Sequence, residues 1–396
     1  MNYKLVLQLA ASSLLSAGLA LGYQQAAAKL PPPFQSPSAT NRPQVIAKPD
    51  GVQLQVPAGF QVEEFASGFQ KPRIMLELPG GGILVTESVT NGSVLLLDGA
   101  NRDGKSAKKL IEGLDRPFGL AWKDNYLYVT EATSIKRYKH NGDRTFAKGK
   151  EIIPLKDFGK GHWSRTLAFD PGGTKLYVGI GSEGDIAKEM VDRRAAIGRY
   201  NPDGSGYESV ATGLRNPTTI GFHPTSKQLW VSVQERDALG DELVPDYFTH
   251  VEQGGFYGWP FAYFGPNEDP RNAGVRPDLV KKTIVPDVSL GAHSAVLDWK
   301  FYTGKNFPSR YRNGAFLALH GSSNRAKRTG YSVAFIPFGK NGKPSGPVEE
   351  FLKGWMLAED KREVWGRPVG VLELRDGSLL VSDDGSNKIW RISHKK

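Results

Sequence analysis

The stretch RPFGLAWKDNYLYVTEATSIKRY, residues 116–138, contains the pattern that decides the fold. A proline turn at residues 116–118 leads to an alternating strand at residues 126–131, and a short turn separates that strand from a second one at residues 135–138. Alternation of this kind between turn-forming residues is typical of short antiparallel strands. A small sheet cannot bury both of its faces alone, so the stretch predicts neighbouring copies of itself.

Copies of this unit recur along the chain. The turns and strands fall at residues 71–97, 116–138, 164–200, 216–233, 293–335 and 367–392. A period of about 40 to 50 residues with several strands in each unit is the mark of a β-propeller. Six units therefore predict an all-β fold, a six-bladed propeller around a central channel. Residues 59–65 form an extra strand, which we expect to pair into the last unit and close the ring.

The chain divides into three parts. Lys4, an apolar run at residues 5–21 and the alanines at residues 26–28 predict a signal peptide over residues 1–28, and hence a periplasmic or secreted protein. Residues 29–57 are rich in proline and predict an extended tether. The propeller domain occupies residues 58–396. The apolar run is short and interrupted by polar residues, so we expect no membrane-spanning segment.

Composition excludes several kinds of site. The 396 residues include no cysteine, which excludes disulfides, thiolate metal centres and cysteine nucleophiles. The formal net charge is +10, but lysine and arginine are scattered rather than clustered in a basic arm. We therefore expect no nucleic-acid partner.

The propeller fold predicts where a site would form. The turns that enter the first strand of each unit meet near the channel mouth, so residues from distant units converge there. The residues that we expect to converge are His162, Arg215, Asn216, Gln234, Arg325, Lys327 and Arg367. Four of these seven are cationic, which is compatible with an anionic ligand.

Several motifs together resemble a known family. They are residues 161–169 (GHWSRTLAF), 176–182 (LYVGIGS), 213–217 (GLRNP), 240–242 with 255–260 (GFYGWP), 320–325 (HGSSNR) and 367–369 (RPV). In their order and spacing, residues 58–393 resemble the glucose/sorbosone dehydrogenase family of six-bladed propellers. The resemblance implies an exported quinoprotein that oxidises an aldose, a sorbosone-like or another sugar with pyrroloquinoline quinone (PQQ) and calcium. It also implies an external electron acceptor.

The resemblance assigns roles to the converging residues. His162 matches the general base that takes the proton of the substrate hydroxyl, and an imidazole can accept a proton at neutral pH. Arg215 matches the arginine that polarises the quinone carbonyl, and Asn216 a donor to the quinone edge. PQQ has three carboxylates, and the cationic side chains and the amide that fit them are Arg325, Lys327, Arg367 and Gln234.

One position departs from the family. The sorbosone-like motif usually has tryptophan where this chain has Ser323. Trp163 and Phe118 are the candidates for the aromatic cover over the cofactor.

Calcium is expected at the loop that follows residue 234. Calcium is bound by about six to eight oxygen atoms, many of them backbone carbonyls. The resemblance places cofactor-bridging calcium at residues 235–242, with the carbonyls of Glu235 and Arg236 as ligands. Asp241 is a third candidate, and its carboxylate could instead fix the loop by accepting backbone N–H groups.

Two other functions are compatible with a propeller. A calcium-dependent lactonase-type hydrolase would use Glu87, Asn216 and Asp383 as side-chain ligands, although Arg215 and Arg367 near the same centre would repel a bare cation. A non-catalytic ligand-binding propeller is the other alternative, which the serine at position 323 favours.

Overall fold

The computed structural model describes residues 30–99, 102–159, 161–186 and 193–395. The predicted signal peptide lies outside the described residues. Within the described ranges, no helix is long and apolar enough to cross a membrane. Helical structure is confined there to α1 (Pro277–Lys282) and to 3₁₀ turns at Lys156–Phe158, Pro270–Asn272 and Ser309–Tyr311.

Six sheets, each built on four antiparallel strands, form the blades of the predicted propeller. The strands are numbered in chain order. Blade 1 contains β3 (Pro72–Glu77), β4 (Ile83–Glu87), β5 (Gly92–Leu97) and β6 (Lys108–Leu114). Blade 2 contains β7 (Leu120–Lys123), β8 (Tyr126–Thr130), β9 (Ser134–Lys139) and β10 (Lys150–Pro154). Blade 3 contains β11 (Arg165–Phe169), β12 (Leu176–Ile180), β13 (Ala196–Tyr200) and β14 (Glu208–Thr212).

The other three blades follow the same plan. Blade 4 contains β15 (Asn216–Phe222), β16 (Leu229–Gln234), β17 (Pro245–His250) and β21 (Val288–Ala292). Blade 5 contains β22 (Val296–Phe301), β23 (Ala315–Leu319), β24 (Ser332–Ile336) and β25 (Glu349–Leu352). Blade 6 contains β27 (Pro368–Glu373), β28 (Leu379–Asp383), β29 (Lys388–His394) and β2 (Phe60–Ser67).

Two kinds of contact close the ring. The N-terminal strand β2 pairs antiparallel with β29, as the sequence predicts for residues 59–65. The first strands of the blades also contact one another in the order β3, β7, β11, β15, β22, β27 and back to β3. Apolar side chains fill the space between blades: Val85 and Leu95 of blade 1 share a buried cluster with Leu372, Leu380 and Ile389 of blade 6. The first strands therefore surround the channel.

Short strands outside the blades attach the remaining segments. The strand β18 (Gly255–Phe256) pairs parallel with β14 of blade 3. A two-stranded hairpin is formed by β19 (Ala262–Tyr263) and β20 (Asn267–Glu268). The segment that we expected to be a tether is extended and lies against the propeller, where β1 (Gln44–Val45) pairs parallel with β26 (Glu363–Val364).

Candidate active site

The strand register brings site residues to one end of the channel. In an antiparallel pair the start of one strand lies beside the end of the next. Asn216 at the start of β15 is thus opposite Gln234 at the end of β16, and Pro368 at the start of β27 is opposite Asp383 at the end of β28. Loops that precede first strands and loops that follow second strands meet at this end.

A cavity of about 480 Å³ lies among these loops. Ligand pockets commonly have volumes of about 300–1,000 Å³. Its ionisable and amide side chains are Arg73, His162, Asp185, Arg215, Asn216, Gln234, Glu235, Asp237, Asp246, His293, His320, Asn324 and Arg367. Five of the seven residues that we expected to converge are in this set.

The other two expected residues do not line the cavity. The guanidinium of Arg325 donates to the carbonyl oxygens of Asp241 at 2.9 Å and Ala292 at 3.4 Å. The side chain of Lys327 is 71% exposed and lies 3.3 Å from Glu359. The structure therefore brings neither cation to the site, and Arg73 is the cation at the cavity that the sequence did not single out.

His162 is held in one ring orientation. Its Nδ1 lies 2.9 Å from the carbonyl oxygen of Ser182. A carbonyl oxygen can only accept, and Ser182 Oγ, which also lies 2.9 Å from Nδ1, donates its own proton to the Gly184 carbonyl at 2.7 Å. In the neutral ring Nδ1 therefore carries the proton and Nε2 carries the lone pair. Nε2 makes no hydrogen bond to any described residue, and the side chain lines the cavity.

The backbone at His162 is constrained from two sides. Its φ is +37°, in the left-handed region that residues other than glycine rarely adopt. The fully buried guanidinium of Arg165 donates to the His162 carbonyl. Gly181 packs so closely that a Cβ there would lie 2.6 Å from the Cβ of His162 and 2.4 Å from Oδ1 of Asn216. Only glycine at position 181 leaves room for the side chains of His162 and Asn216 to lie this close to the backbone there.

The surroundings of His162 keep its ring neutral. Burial, and then the positive charge of Arg215, lower the pKa of His162 to about 3 in the ligand-free protein. The ring is therefore neutral over the whole physiological pH range and its Nε2 lone pair is available, but a pKa this low also makes it a weak base.

Arg215 joins blade 3 to blade 4 below His162. Its guanidinium forms an ion pair with Asp185 and donates to the carbonyl oxygen of Glu235 at 2.6 Å. Its side chain is 5% exposed. Next to it, Nδ2 of Asn216 donates to Oε1 of Gln234 at 3.1 Å, while Oδ1 of Asn216 is buried and accepts no hydrogen bond from any residue that the structure describes.

The loop expected to hold calcium has one buried carboxyl at the cavity. Burial raises the pKa of Glu235 to about 8, and its Oε1 has no hydrogen-bond partner among the described residues. The Glu235 N–H donates to Asp246 at 2.8 Å, and Asp246 also accepts from the N–H of Ala295 at 2.6 Å. The carboxylate of Asp246 therefore fixes the start of the loop against blade 5.

The other two expected metal residues, Arg236 and Asp241, are not among the residues that line the cavity. The carbonyl of Arg236, which is the predicted ligand, accepts from the N–H of Val244 at 3.4 Å, and its guanidinium lies 2.6 Å from Asp269. Asp241 accepts from the N–H of Ala326 at 2.8 Å, as expected if its carboxylate fixes the loop. Its other carboxylate oxygen, Oδ1, is buried and has no hydrogen-bond partner among the described residues.

His293 connects the same loop to blade 5. Its Nδ1 lies 2.7 Å from Asp237, and its Nε2 lies 3.0 Å from the carbonyl oxygen of Gly240. Both partners are acceptors, so both ring nitrogens donate when His293 is protonated. Burial opposes this charge, but the contacts with Asp237 and Gly240 outweigh it and raise the pKa of His293.

The opposite wall contains a second cluster of charged residues. Asp384 accepts from Arg73 at 2.6 Å and lies 2.8 Å from Nε2 of His320. The guanidinium of Arg367 donates to the carbonyls of His320 at 3.2 Å and Gly321 at 3.0 Å. Burial, and then the charge of Arg367, lower the pKa of His320 to about 4, so this ring is also neutral.

Trp163 forms the aromatic part of the wall. The guanidiniums of Arg73 and Arg116 each lie 5.3 Å from its ring centre, on its face. Phe118 contacts the same ring edge-on at 6.0 Å and is 1% exposed, so it supports Trp163 from behind. Ser323 lines the cavity without adding a ring.

Of the three ligands of the alternative hydrolase site, Asn216 lines the cavity and Glu87 and Asp383 do not. Glu87 is buried and accepts from the N–H of Gln70 and from Ser93. Asp383 is buried and accepts from the N–H groups of Arg367 and Ser386. Over the described ranges, no three His, Asp or Glu side chains are grouped so that they could hold a metal ion.

Several cavity residues were missed from the sequence: Arg73, Asp185, Asp237, Asp246, His293, His320 and Asn324. Arg73 had a usable signal, because it lies in the turn that enters the first unit, as Arg367 lies in the turn that enters the last. His320 and Asn324 belong to the quoted 320–325 motif but were not assigned roles.

Comparison with known proteins places the chain in a family. The TrAA12-like family model matches residues 54–246 and 278–395. An uncharacterised protein of Borreliella burgdorferi is 31% identical over 358 residues, which are 87% of this chain and 91% of that protein. The pyrroloquinoline quinone-dependent pyranose dehydrogenase of Coprinopsis cinerea is 26% identical over 417 residues, covering 86% of this chain and 54% of that enzyme. The chain thus spans about half the length of the Coprinopsis enzyme.

Solved structures show the same fold. The calcium structure of the Trichoderma reesei carbohydrate-active enzyme of family AA12 has a TM-score of 0.74 at 20% identity, over 90% of this chain and 99% of that one. The holo form of the PQQ domain of the Coprinopsis cinerea pyranose dehydrogenase has a TM-score of 0.72 at 20% identity, over 88% and 98% of the two chains.

Proposed function

Because the chain belongs to the TrAA12-like family, we propose that it is a sugar dehydrogenase that uses PQQ and calcium, with His162 as the general base. One observation carries the proposal. A single cavity holds a neutral imidazole with an available Nε2 together with three guanidiniums, those of Arg73, Arg215 and Arg367. The Coprinopsis relative, a PQQ-dependent pyranose dehydrogenase, supports the choice of cofactor and substrate class.

The donor set of the cavity fits a carboxylate-rich quinone. Three guanidiniums suit three carboxylates, since their planar N–H groups bind carboxylate oxygens in pairs. Arg215 and Arg367 contribute from opposite walls, and Arg73 is already oriented by Asp384. The flat face of Trp163 suits a planar ring system.

The same cavity fits a cation through oxygen atoms. The carbonyls of Gln234 and Glu235 accept from the guanidinium of Arg215, at 3.2 Å and 2.6 Å, so calcium would bind them once Arg215 turns to the carboxylates of the cofactor. Oε1 of Glu235 and Oδ1 of Asn216 add two further oxygens that have no hydrogen-bond partner among the described residues. A hard cation such as calcium prefers such ligands. The carbonyls of Glu235 and Gln234 are the ligands that we favour, and the carbonyl of Arg236 remains a candidate.

PQQ, when bound, supplies the hydride acceptor. The protein supplies the proton acceptor and the charges. Nε2 of His162 takes the proton of the sugar hydroxyl, while the Ser182 carbonyl holds Nδ1–H and keeps the ring in place. Arg215 supplies a fixed positive charge beside His162.

Export and an external electron acceptor complete the proposal. The predicted signal peptide directs the enzyme to the periplasm or outside the cell. Two-electron oxidation of a sugar requires a partner that removes the electrons, and we propose an external acceptor for this role.

Cofactor titration tests the proposal. The ligand-free protein is titrated with PQQ in calcium and in a chelator, and binding is followed by quenching of tryptophan fluorescence, with Trp163 as the nearest reporter. We expect saturable binding that is tighter with calcium. If micromolar PQQ does not bind under either condition, the proposed cofactor is wrong.

A further inference from the structure

An N-terminal segment, residues 34–45, spans two loops of the cavity. It lies outside the family-model match, which begins at residue 54. We call these residues the strap. The loops are loop A, residues 235–243 after β16, and loop B, residues 320–328 after β23. No strap residue lines the cavity itself, so any influence on a ligand acts through the loops.

The first half of the strap binds loop A. Phe34 N–H donates to the carbonyl of Leu239 at 2.8 Å. Oγ of Ser36 accepts from the N–H of Asp241 at 2.8 Å and donates to Glu242 at 2.6 Å. Gly240 has a φ of +108°, and a Cβ there would lie 2.8 Å from the Ser36 carbonyl oxygen. The close fit requires glycine at that position.

The second half of the strap binds loop B through Asn41. Its backbone N–H donates to the carbonyl of Ser323 at 2.8 Å. Its Nδ2 donates to the carbonyl of Ala326 at 2.9 Å and to that of Arg325 at 3.2 Å. Its Oδ1 accepts from Arg328 at 2.9 Å. Asn41 therefore uses every hydrogen-bonding group of its side chain on this one loop.

Loops A and B also contact each other where the strap crosses. Nδ2 of Asn324 donates to Asp237 at 2.7 Å, and the N–H of Ala326 donates to Asp241 at 2.8 Å. Asp237, Ser323 and Asn324 all line the cavity. The strap is thus attached to both sides of a junction whose inner face is the binding site.

We propose that the strap sets the spacing of loops A and B, and that Asn41 is a positioning residue for the ligand bound between them. A loop fixed in its bound conformation loses less entropy when ligand binds, so fixing the loops raises affinity without adding a ligand contact. The proposal rests on the proposed function for the identity of the ligand, PQQ with calcium. The predicted effect of the strap on the loops is independent of the proposed function.

Two variants and a matched control test this role. Asn41→Ala removes the side-chain bonds of Asn41 to loop B, and Ser36→Ala removes the two side-chain bonds of Ser36 to loop A while leaving that of Ser38 to Gly240. Gln44→Ala is the control, because Gln44 is exposed and its N–H donates to the carbonyl of Arg362 through the backbone alone. Hydrogen exchange is measured on ligand-free protein, and PQQ affinity is measured in calcium.

In Asn41→Ala we expect the amide of Ala326 to exchange roughly tenfold faster and the dissociation constant for PQQ to rise roughly tenfold, as follows from losing a few hydrogen bonds. Amides of β23 should exchange at the wild-type rate. Ser36→Ala should do the same at the amide of Asp241, and Gln44→Ala should match wild type in both measurements.

Two results would overturn the proposal. The first is that both strap variants show the same loop hydrogen-exchange rates and the same PQQ affinity as Gln44→Ala. The other is faster exchange throughout β23 as well, which would make Asn41 a general stabiliser of the fold. If wild-type protein binds no PQQ, the proposed function fails, and the exchange rates alone decide whether the strap sets the loops.

Discussion

Nδ1 of His162 lies 2.9 Å from the carbonyl oxygen of Ser182, which lies twenty positions later in the loop just after β12. The same carbonyl accepts from Arg194, which also donates to the carbonyl of Gly161 at 2.7 Å. The Ser182 carbonyl, which accepts the proton of His162 Nδ1, is therefore itself fixed in position by Arg194. This arrangement fixes the tautomer of His162 and leaves Nε2 for the cavity.

Removing the His162 ring should abolish most turnover while preserving cofactor binding. General-base catalysis contributes about 10²–10⁴-fold to a rate, so His162→Ala should lower kcat by that order. The carboxylates of PQQ are proposed to bind guanidiniums, so the PQQ dissociation constant should change by no more than about threefold. Dye reduction with sugar and fluorescence titration with PQQ measure the two quantities.

Ser182→Ala provides the matched control for that variant. The carbonyl that holds Nδ1 belongs to the backbone and is retained, and only the Oγ bond to Gly184 at 2.7 Å and the Oγ contact with His162 are lost. We expect kcat within about tenfold of wild type. Turnover by His162→Ala at or above the rate of Ser182→Ala would remove His162 from its role.

Glu235 should make the ligand-free protein less stable as the pH rises. Burial raises its pKa from 4.5 to about 8, so the folded protein keeps a proton that the unfolded chain releases. The resulting stabilisation is complete below pH 4.5 and is lost as the pH rises through 8. Glu235→Gln keeps a neutral side chain at every pH and should remove this dependence.

Urea unfolding in a chelator at pH 5, 7 and 9 measures that effect. Wild type should lose stability relative to Glu235→Gln by up to about 1.4 kcal/mol for each pH unit within this window. A constant difference between the two proteins from pH 5 to pH 9 would show that the Glu235 carboxyl is ionised when folded.

Arg367 and Lys327 should differ sharply in cofactor binding. Arg367 lines the cavity, whereas Lys327 is 71% exposed and pairs with Glu359 outside it. A hydrogen bond to a charged group contributes about 1.5–3 kcal/mol, so Arg367→Ala should raise the PQQ dissociation constant by about 10- to 100-fold. Lys327→Ala should leave it unchanged, and equal losses in the two variants would contradict the placement of the cavity.

The buried pair of Arg236 and Asp269 should dominate the stability of loop A. Asp269→Ala would leave a 2%-exposed guanidinium without its carboxylate, which typically costs about 3–5 kcal/mol. Asp278→Ala, which removes an exposed partner of Arg276, is the control and should not change the free energy of unfolding. Similar unfolding curves for the two variants would show that Arg236 finds another acceptor.

The blade repeat could be predicted because the second strand of each blade is almost fully buried. Tyr126–Thr130 and Leu379–Asp383 are short, mainly apolar runs between turns, and this pattern can be recognised in the sequence alone. The first strands were harder to identify. Asn216–Phe222 begins with the Asn-Pro sequence of a turn, because its first residues face the cavity and not the space between blades.

Other features depend on contacts between segments that are far apart in the sequence, and these could not be predicted. Arg73 meets Asp384 only because the last blade closes against the first. The fourth strand of blade 4, Val288–Ala292, pairs with Pro245–His250 across a long insertion, so its spacing does not match that of the other blades. The spacing of residues along the sequence does not determine the direction of a side chain, so it could not show that Lys327 and Arg325 both lie outside the cavity.

The central claim is that His162 accepts a sugar proton while bound PQQ is reduced. Anaerobic mixing of the PQQ- and calcium-loaded enzyme with a panel of aldoses, followed through the absorbance of the quinone, tests it most directly. The account predicts reduction at a rate that saturates with at least one sugar in wild type and is nearly absent in His162→Ala. Stoichiometric, calcium-dependent binding of PQQ that no aldose reduces, or equal reduction in both proteins, would contradict it.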